Sequence, residues 1–211
     1  MNETEKMLRG LIYDPFKDGM QDERLKAHKL CKRYNSTCED EEEERKKILD
    51  ELIPNKGKGV YLQGPIYFDF GKYTEFGENS YANFNFTVLD ICPVKIGKNV
   101  FMGPNVSLLT PKHPMCFEDR NIYYNEKTGK WTDKEYGAPI TIGDNCWLAG
   151  NVTVCGGVTI GEGCVIGAGS VVTRDIPPHS FAAGNPCRVK RAITEEDRLY
   201  NHPELFAEED R

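Results

Sequence analysis

The sequence predicts a mainly β fold, a parallel β-helix built from six-residue coils, and three observations carry that prediction. From Ile142 the chain divides without a gap into IGDNCW, LAGNVT, VCGGVT, IGEGCV, IGAGSV and VTRDIP, opening at Ile142, Leu148, Val154, Ile160, Ile166 and Val172. An aliphatic residue leads each block, a small residue usually follows, and the fifth place holds Cys146, Val152, Val158, Cys164, Ser170 and Ile176. The same step recurs upstream at Ile96, Met102 and Leu108, and at Phe70, Phe76, Ala82 and Val88, with a slip of two residues between Val88 and Ile96.

The fifth residue lies two places before the next leader, so on an extended strand both face the same way. Each block then gives one large and one small inward side chain. The small second residue and the Gly, Asn or Asp after it suit a sharp turn, where positive φ is often required. Strands this short cannot bury a face alone, but stacked coils bury a continuous aliphatic column. A helix does not fit: Gly recurs, β-branched residues dominate, and a step of six drifts around a helical surface.

The flanks read differently. Residues 1–58 form a helical segment, with Ala27, Leu30, Cys31 and Tyr34 at helical spacing and Ile48, Leu49, Leu52 and Ile53 likewise. Thr37 with Asp40 resembles a capping box. The acidic run Glu39–Glu44 would open the second helix, with Glu41, Glu42 and Glu43 four residues before Arg45, Lys46 and Lys47. Such a hairpin could cover the open end of the β-helix, where strand edges are unpaired. The β-helix spans 59–190, interrupted by a loop at 109–139 whose tyrosines and Trp131 argue for packing. A tail, 191–211, carries a short helix announced by Thr194 and Asp197 and stopped near Pro203.

Composition narrows function. A net charge of -6 with no basic tract argues against nucleic-acid binding. No apolar run approaches the roughly 20 residues of a membrane span. MNETEKMLRG has no apolar core of a secretory signal, so a cytoplasmic protein is expected. In that setting the eight cysteines are read as reduced thiols, Cys146 and Cys164 packing as small hydrophobes. No CxxC occurs, and His28, His113, His179 and His202 are far apart in sequence, so no metal site is expected. A hydrophobic content of 39% suits a thin, shared solenoid core.

Together with ANFN, LDICP, TPKHP, TIGDNCW, IGAGSVVTRDIPP, AAGNPCR and the N-terminal EKMLRGLIYD and RYN, the repeat resembles the maltose/galactoside O-acetyltransferases of the hexapeptide-repeat superfamily. The stretch from Cys116 to Lys134 looks longer than that family's. The resemblance implies a left-handed parallel β-helix, although general crossover rules favour the right hand. It also implies a homotrimer with active sites between subunits, and acetyl transfer from acetyl-CoA, as co-substrate, to a sugar-like hydroxyl.

An alcohol needs a base at neutral pH, and a histidine is suited to it. His113 lies in Pro111-Lys112-His113-Pro114, a stiff backbone that matches the family's catalytic element. The alternative is an ordinary surface-loop histidine, and no functional role is given to His28, on a predicted helix, or to His179, in a Pro-rich turn. By the same match Asp14, Asp69, Tyr81, Asn83 and Glu135 would line the acceptor pocket. Asp14 could instead serve its turn before Pro15, and Asn83 could bond along the solenoid. On the CoA side the match gives Trp147 as an apolar wall, the N–H near Gly150 as oxyanion donor, and Ala168, Thr173 and Arg174 along the groove. Arg188 and Arg191 would hold phosphates, with solvated surface charge the alternative for Arg191. Cys116 could in principle carry an acetyl group, but direct transfer is the expectation. A same-scaffold enzyme for serine, an amino sugar or a xenobiotic, and a non-catalytic β-helix, are the competing readings.

Overall fold

The computed structural model describes residues 1–208; the last three residues of the 191–211 tail lie outside the described residues. Three helices come first: α1 (Glu3–Leu8), α2 (Met20–Tyr34) and α3 (Glu42–Leu52). A parallel β-solenoid with three faces follows. Face I stacks Tyr61–Leu62, Tyr81–Ala82, Phe101–Met102, Trp147–Leu148, Val165–Ile166 and Ser180–Ala183, and ends in the antiparallel strand Arg188–Ala192. Face II stacks Ile66–Phe68, Phe86–Leu89, Ser107–Leu109, Thr153–Cys155 and Val171–Val172. Face III stacks Thr74–Phe76, Val94–Ile96, Ile140–Ile142 and Thr159–Ile160.

The leaders from Ile142 to Val172, and the fifth-place residues from Cys146 to Ile176, are all buried in one column. The fourth place carries the turn. Asn79, Asn85, Asn99, Asn105, Asn145, Asn151, Gly157, Gly163 and Gly169 all have positive φ there, a conformation that Gly and Asn tolerate. The asparagines also bond between coils, Asn85 to Asn105 (3.0 Å) and Asn105 to Asn151 (3.1 Å). A second-place glycine answers a different need: a Cβ on Gly143 would lie 2.5 Å from the Glu162 backbone nitrogen in the next coil. The two-residue slip after Val88 places Asp90 inside the II/III corner. There its carboxylate accepts from the N–H of Phe70 (2.8 Å) and Gly71 (3.2 Å) and from the Thr74 hydroxyl (3.0 Å).

The helical hairpin caps the end of the solenoid as expected. Asn35 exchanges two hydrogen bonds with the main chain of Ile66 (2.9 and 2.7 Å), on the edge strand of face II. Arg45, buried, donates to the carbonyls of Leu62 and Gln63 (both 2.8 Å) on the edge of face I.

Three local expectations are corrected. The Thr37 hydroxyl donates back to the Tyr34 carbonyl (2.6 Å), and Glu41 precedes α3 without a side-chain cap, so no Thr37–Asp40 box forms. Arg45 does not pair along α3 with Glu41, whose carboxylate accepts from Cys38 N–H (2.6 Å); the guanidinium turns to unpaired strand carbonyls instead. The tail is not one helix but three 3-10 turns, Glu195–Asp197, Leu199–Asn201 and Pro203–Leu205. The Thr194–Asp197 box does form. With no buried residue in these turns, nothing favours propagation into a helix, and Pro203 opens the third turn.

The long loop is ordered, with a short helix α4 (Phe117–Arg120) and a hairpin pairing Tyr123–Asn125 with Lys130–Thr132. Tyr124 and Trp131 pack edge to face at 5.6 Å, yet both remain exposed. Among the described residues no helix is long and apolar enough to cross a membrane, and all eight cysteines are free thiols.

Candidate active site

The loop leaves the solenoid at the II/III corner through a two-strand neck, Pro111–Lys112 against Tyr136–Gly137. His113 follows directly, its side chain about half exposed (49%), with Nε2 3.9 Å from Oε1 of Glu135. That gap exceeds a direct hydrogen bond, and a hydroxyl or water could touch both groups. Glu135 is largely buried, and burial raises its pKa, opposed by a hydrogen bond from Tyr13 and by the charges of Arg24 and His113. Tyr13 donates its phenol proton to Oε2 of Glu135. Burial, then the neighbouring carboxylate, pushes the Tyr13 phenol far above its usual range, so it remains a donor.

The N-terminal segment builds the wall of this corner. Met7, Tyr13, Met20, Phe70, Ile91 and Cys92 form a second apolar cluster, wedged beside the neck. Asp14 sits next to it, with Oδ1 accepting from the Thr132 hydroxyl (2.7 Å) and from Phe16 N–H (3.0 Å). Asp14 thus does serve its turn, and it also ties down the hairpin. Asp69 lies 3.7 Å from His28 Nε2 and 4.0 Å from Arg24 Nε. Beside Asp69 a cavity of about 430 Å³ opens between α2 and face II, lined by His28, Lys32, Asn35, Tyr67 and Leu89 among others.

The other expected residues stand elsewhere on the prism. Tyr81 projects from face I, stacked on Tyr61 at 6.1 Å, and Trp147 projects from the same face two coils higher. Asn83, at the I/II corner, accepts from Phe84 N–H (2.7 Å); the ladder amides are its neighbours in the fourth place instead. Gly150 and Ala168 stack at that corner, where Gly169 N–H donates to the Gly150 carbonyl (3.0 Å). Thr173 and Arg174 are exposed at the II/III corner of the far coil. Arg188 donates to the Cys187 carbonyl (2.8 Å). Arg191 commits its fork to Asp197 (2.7 and 2.6 Å), as a surface charge would.

One chain therefore gathers His113, Glu135, Asp14 and Asp69 at one corner, and Tyr81, Asn83, Trp147, Gly150 and Ala168 on face I and the I/II corner. The width of face II, on the order of 15 Å for five extended residues, separates the two groups.

Residues 6–57 match the maltose acetyltransferase hexapeptide capping motif, and residues 139–174 match the bacterial transferase hexapeptide repeat. The galactoside O-acetyltransferase of Escherichia coli (strain K12) is 40% identical over 93% of this chain and 92% of its own. The chain belongs to the maltose/galactoside O-acetyltransferase family. Its solenoid is the left-handed β-helix of hexapeptide-repeat acyltransferases. Among solved members of the family, a galactoside acetyltransferase in complex with coenzyme A superimposes with a TM-score of 0.85 at 38% identity, over 99% of this chain and 97% of that one. A maltose O-acetyltransferase from Clostridium difficile 630 gives 0.83 at 42% identity, over 92% and 99%.

Sequence reasoning missed Tyr13 and Arg24. Tyr13 is 122 positions from Glu135, and only the docking of the N-terminal segment joins them. Arg24 sits on the α2 turn facing Asp69, with its Nε buried and without a hydrogen-bond partner. Its position one helical turn from His28 is a signal, but not one that tells inward from outward.

Proposed function

We propose that this protein acetylates a hydroxyl of a sugar-like acceptor by direct transfer, with His113 as general base. Family membership makes the chain an acetyl-CoA-dependent O-acetyltransferase, with acetyl-CoA as co-substrate. The observation that carries the finer reading is the half-exposed imidazole of His113, held 3.9 Å from a largely buried carboxylate. His113 takes the acceptor proton as the hydroxyl oxygen attacks the thioester carbonyl. A C–O bond forms, the C–S bond breaks, and the imidazolium returns the proton to the departing thiolate. The Gly150 N–H would stabilise the oxyanion. Trp147, Ala168, Thr173, Arg174 and Arg188 would hold CoA. Asp14, Asp69, Tyr81, Asn83 and Glu135 would receive sugar hydroxyls, and the cavity beside Asp69 leaves room for a small acceptor.

The separation of the two groups across face II favours a site shared between copies, and hence a homotrimer. The character of the faces agrees. Face I shows exposed Tyr61, Phe101 and Trp147, whereas face III presents Glu75 and Lys95 to solvent. A solvated face and a face ready for burial are what an assembly of prisms needs.

Release of free thiol from acetyl-CoA, followed over a panel of sugars, serine, amino sugars and xenobiotic amines, tests this reading. A sugar should give the highest kcat/KM. His113→Ala should lose roughly a hundredfold or more in kcat, while Cys116→Ala keeps most activity. An acetyl-enzyme trapped by acid quench, or an active His113→Ala, would contradict it.

A further inference from the structure

The reading of His113 as base leaves Tyr13 without a role. Tyr13 is almost wholly buried, in the cluster that seats the N-terminal segment against the neck of the loop. It holds Glu135 at two points. Its phenol donates to Oε2, and its main chain bridges that of Glu135 through Tyr13 N–H to the Glu135 carbonyl (3.0 Å) and the return bond (3.5 Å). Oε1, the other carboxylate oxygen, is left facing Nε2 of His113 at 3.9 Å.

The two segments interlock on either side of this contact. A Cβ on Gly10 would lie 2.5 Å from the Gly137 carbonyl oxygen, and the Cys92 thiol donates to the Met7 carbonyl (3.2 Å). The N-terminal segment cannot shift without moving the residue that fixes Glu135.

We propose that Tyr13 is a positioning residue for the transfer: it locks Glu135 so that the free carboxylate oxygen faces the imidazolium formed on His113. The proposal rests on His113 being the base. An imidazolium needs a fixed anion beside it, because a mobile carboxylate must reorganise as charge develops. A glutamate released from Tyr13 would keep its rotamer freedom and would be more readily protonated in its buried setting. The other charged or titratable groups around the pair are Arg24 from α2, Asp69 at the corner, Asp133 in the loop, and Lys112 and Cys92 at the neck.

The test is Tyr13→Phe, which keeps the buried ring and removes the hydroxyl. The expected result is a fall of about tenfold or more in kcat, with KM for acetyl-CoA unchanged. The acidic limb of kcat against pH should move upward, because Glu135 loses a hydrogen bond that favours its ionised form. Glu135→Gln should cause a similar fall, and the double variant should be no worse than either single one. Multiplying defects in the double variant, or wild-type kcat and pH profile in Tyr13→Phe, would overturn the proposal. Should Tyr13→Phe fail to fold, Glu135→Gln decides: unchanged kcat overturns the proposal, and a fall in kcat with KM for the acceptor unchanged supports it. An active His113→Ala would instead sink the base assignment. An inactive His113→Ala beside an unimpaired Tyr13→Phe would sink only the positioning role.

Discussion

At neutral pH Asp90 is a buried carboxyl with three hydrogen bonds donated to it, yet burial outweighs them and pushes its pKa from 3.8 to about 6. Because the folded value lies above the unfolded one, its contribution to stability is fully present below about pH 4 and is lost as pH rises through about 6. Urea unfolding from pH 4 to 7 should show wild type losing on the order of 3 kcal/mol relative to Asp90→Asn, which cannot titrate. A pH-independent difference would contradict this. The two-residue slip that houses Asp90 was legible in the sequence, but its use was not. The donors from Phe70, Gly71 and Thr74 come from the preceding coil, and only stacking brings them within reach. The place of His113 beside the loop was legible for the opposite reason, since its prolines and the break in the hexads are local signals, whereas the role proposed for it came from the family resemblance. The partnership of Tyr13 with Glu135 spans most of the chain and leaves no local trace.

Helices and strands meet at the capped end of the prism, and Arg45 is the joint. Besides its two strand carbonyls, its guanidinium donates to the Tyr34 hydroxyl (2.9 Å) and stacks over the Tyr34 ring at 4.5 Å. Arg45→Ala should cost roughly 3 kcal/mol, because the Gln63 carbonyl loses its guanidinium donor inside the interface, the Leu62 carbonyl keeps only the Tyr34 hydroxyl, and the stacking on Tyr34 is lost. Thermal unfolding should show the loss as a drop of several degrees, and an unchanged midpoint would show that the cap is held by its apolar stripe alone. The sequence contained the signal, since positions 45, 48, 49 and 52 share one helical face. It was obscured by Glu41, which offers an equally spaced surface partner. The hexads were legible throughout because each coil repeats one local rule, a buried leader and a left-handed fourth residue. The tail lacks such repetition and any buried face, so its capping signal overstated its helix.

The faces of the whole prism differ in kind, and the proposed trimer follows from that difference together with the division of the site. His113 stands at the II/III corner, Gly150 at the I/II corner, and one face width lies between them. The repeat reports the column inside the prism, whereas the proposed pairing of corners from different copies would depend on outward residues with no period of their own. Mixed oligomers of two inactive variants test the shared site most directly. One partner carries His113→Ala. The other carries Gly150→Asp, whose Cβ would have ordinary contacts at 3.5 Å and whose carboxylate would oppose the oxyanion. Sites that pair the intact loop of one copy with the intact corner of another should restore about a quarter of wild-type activity in random mixed trimers. No activity above that of the separate variants, in oligomers shown to contain both chains, would contradict the account.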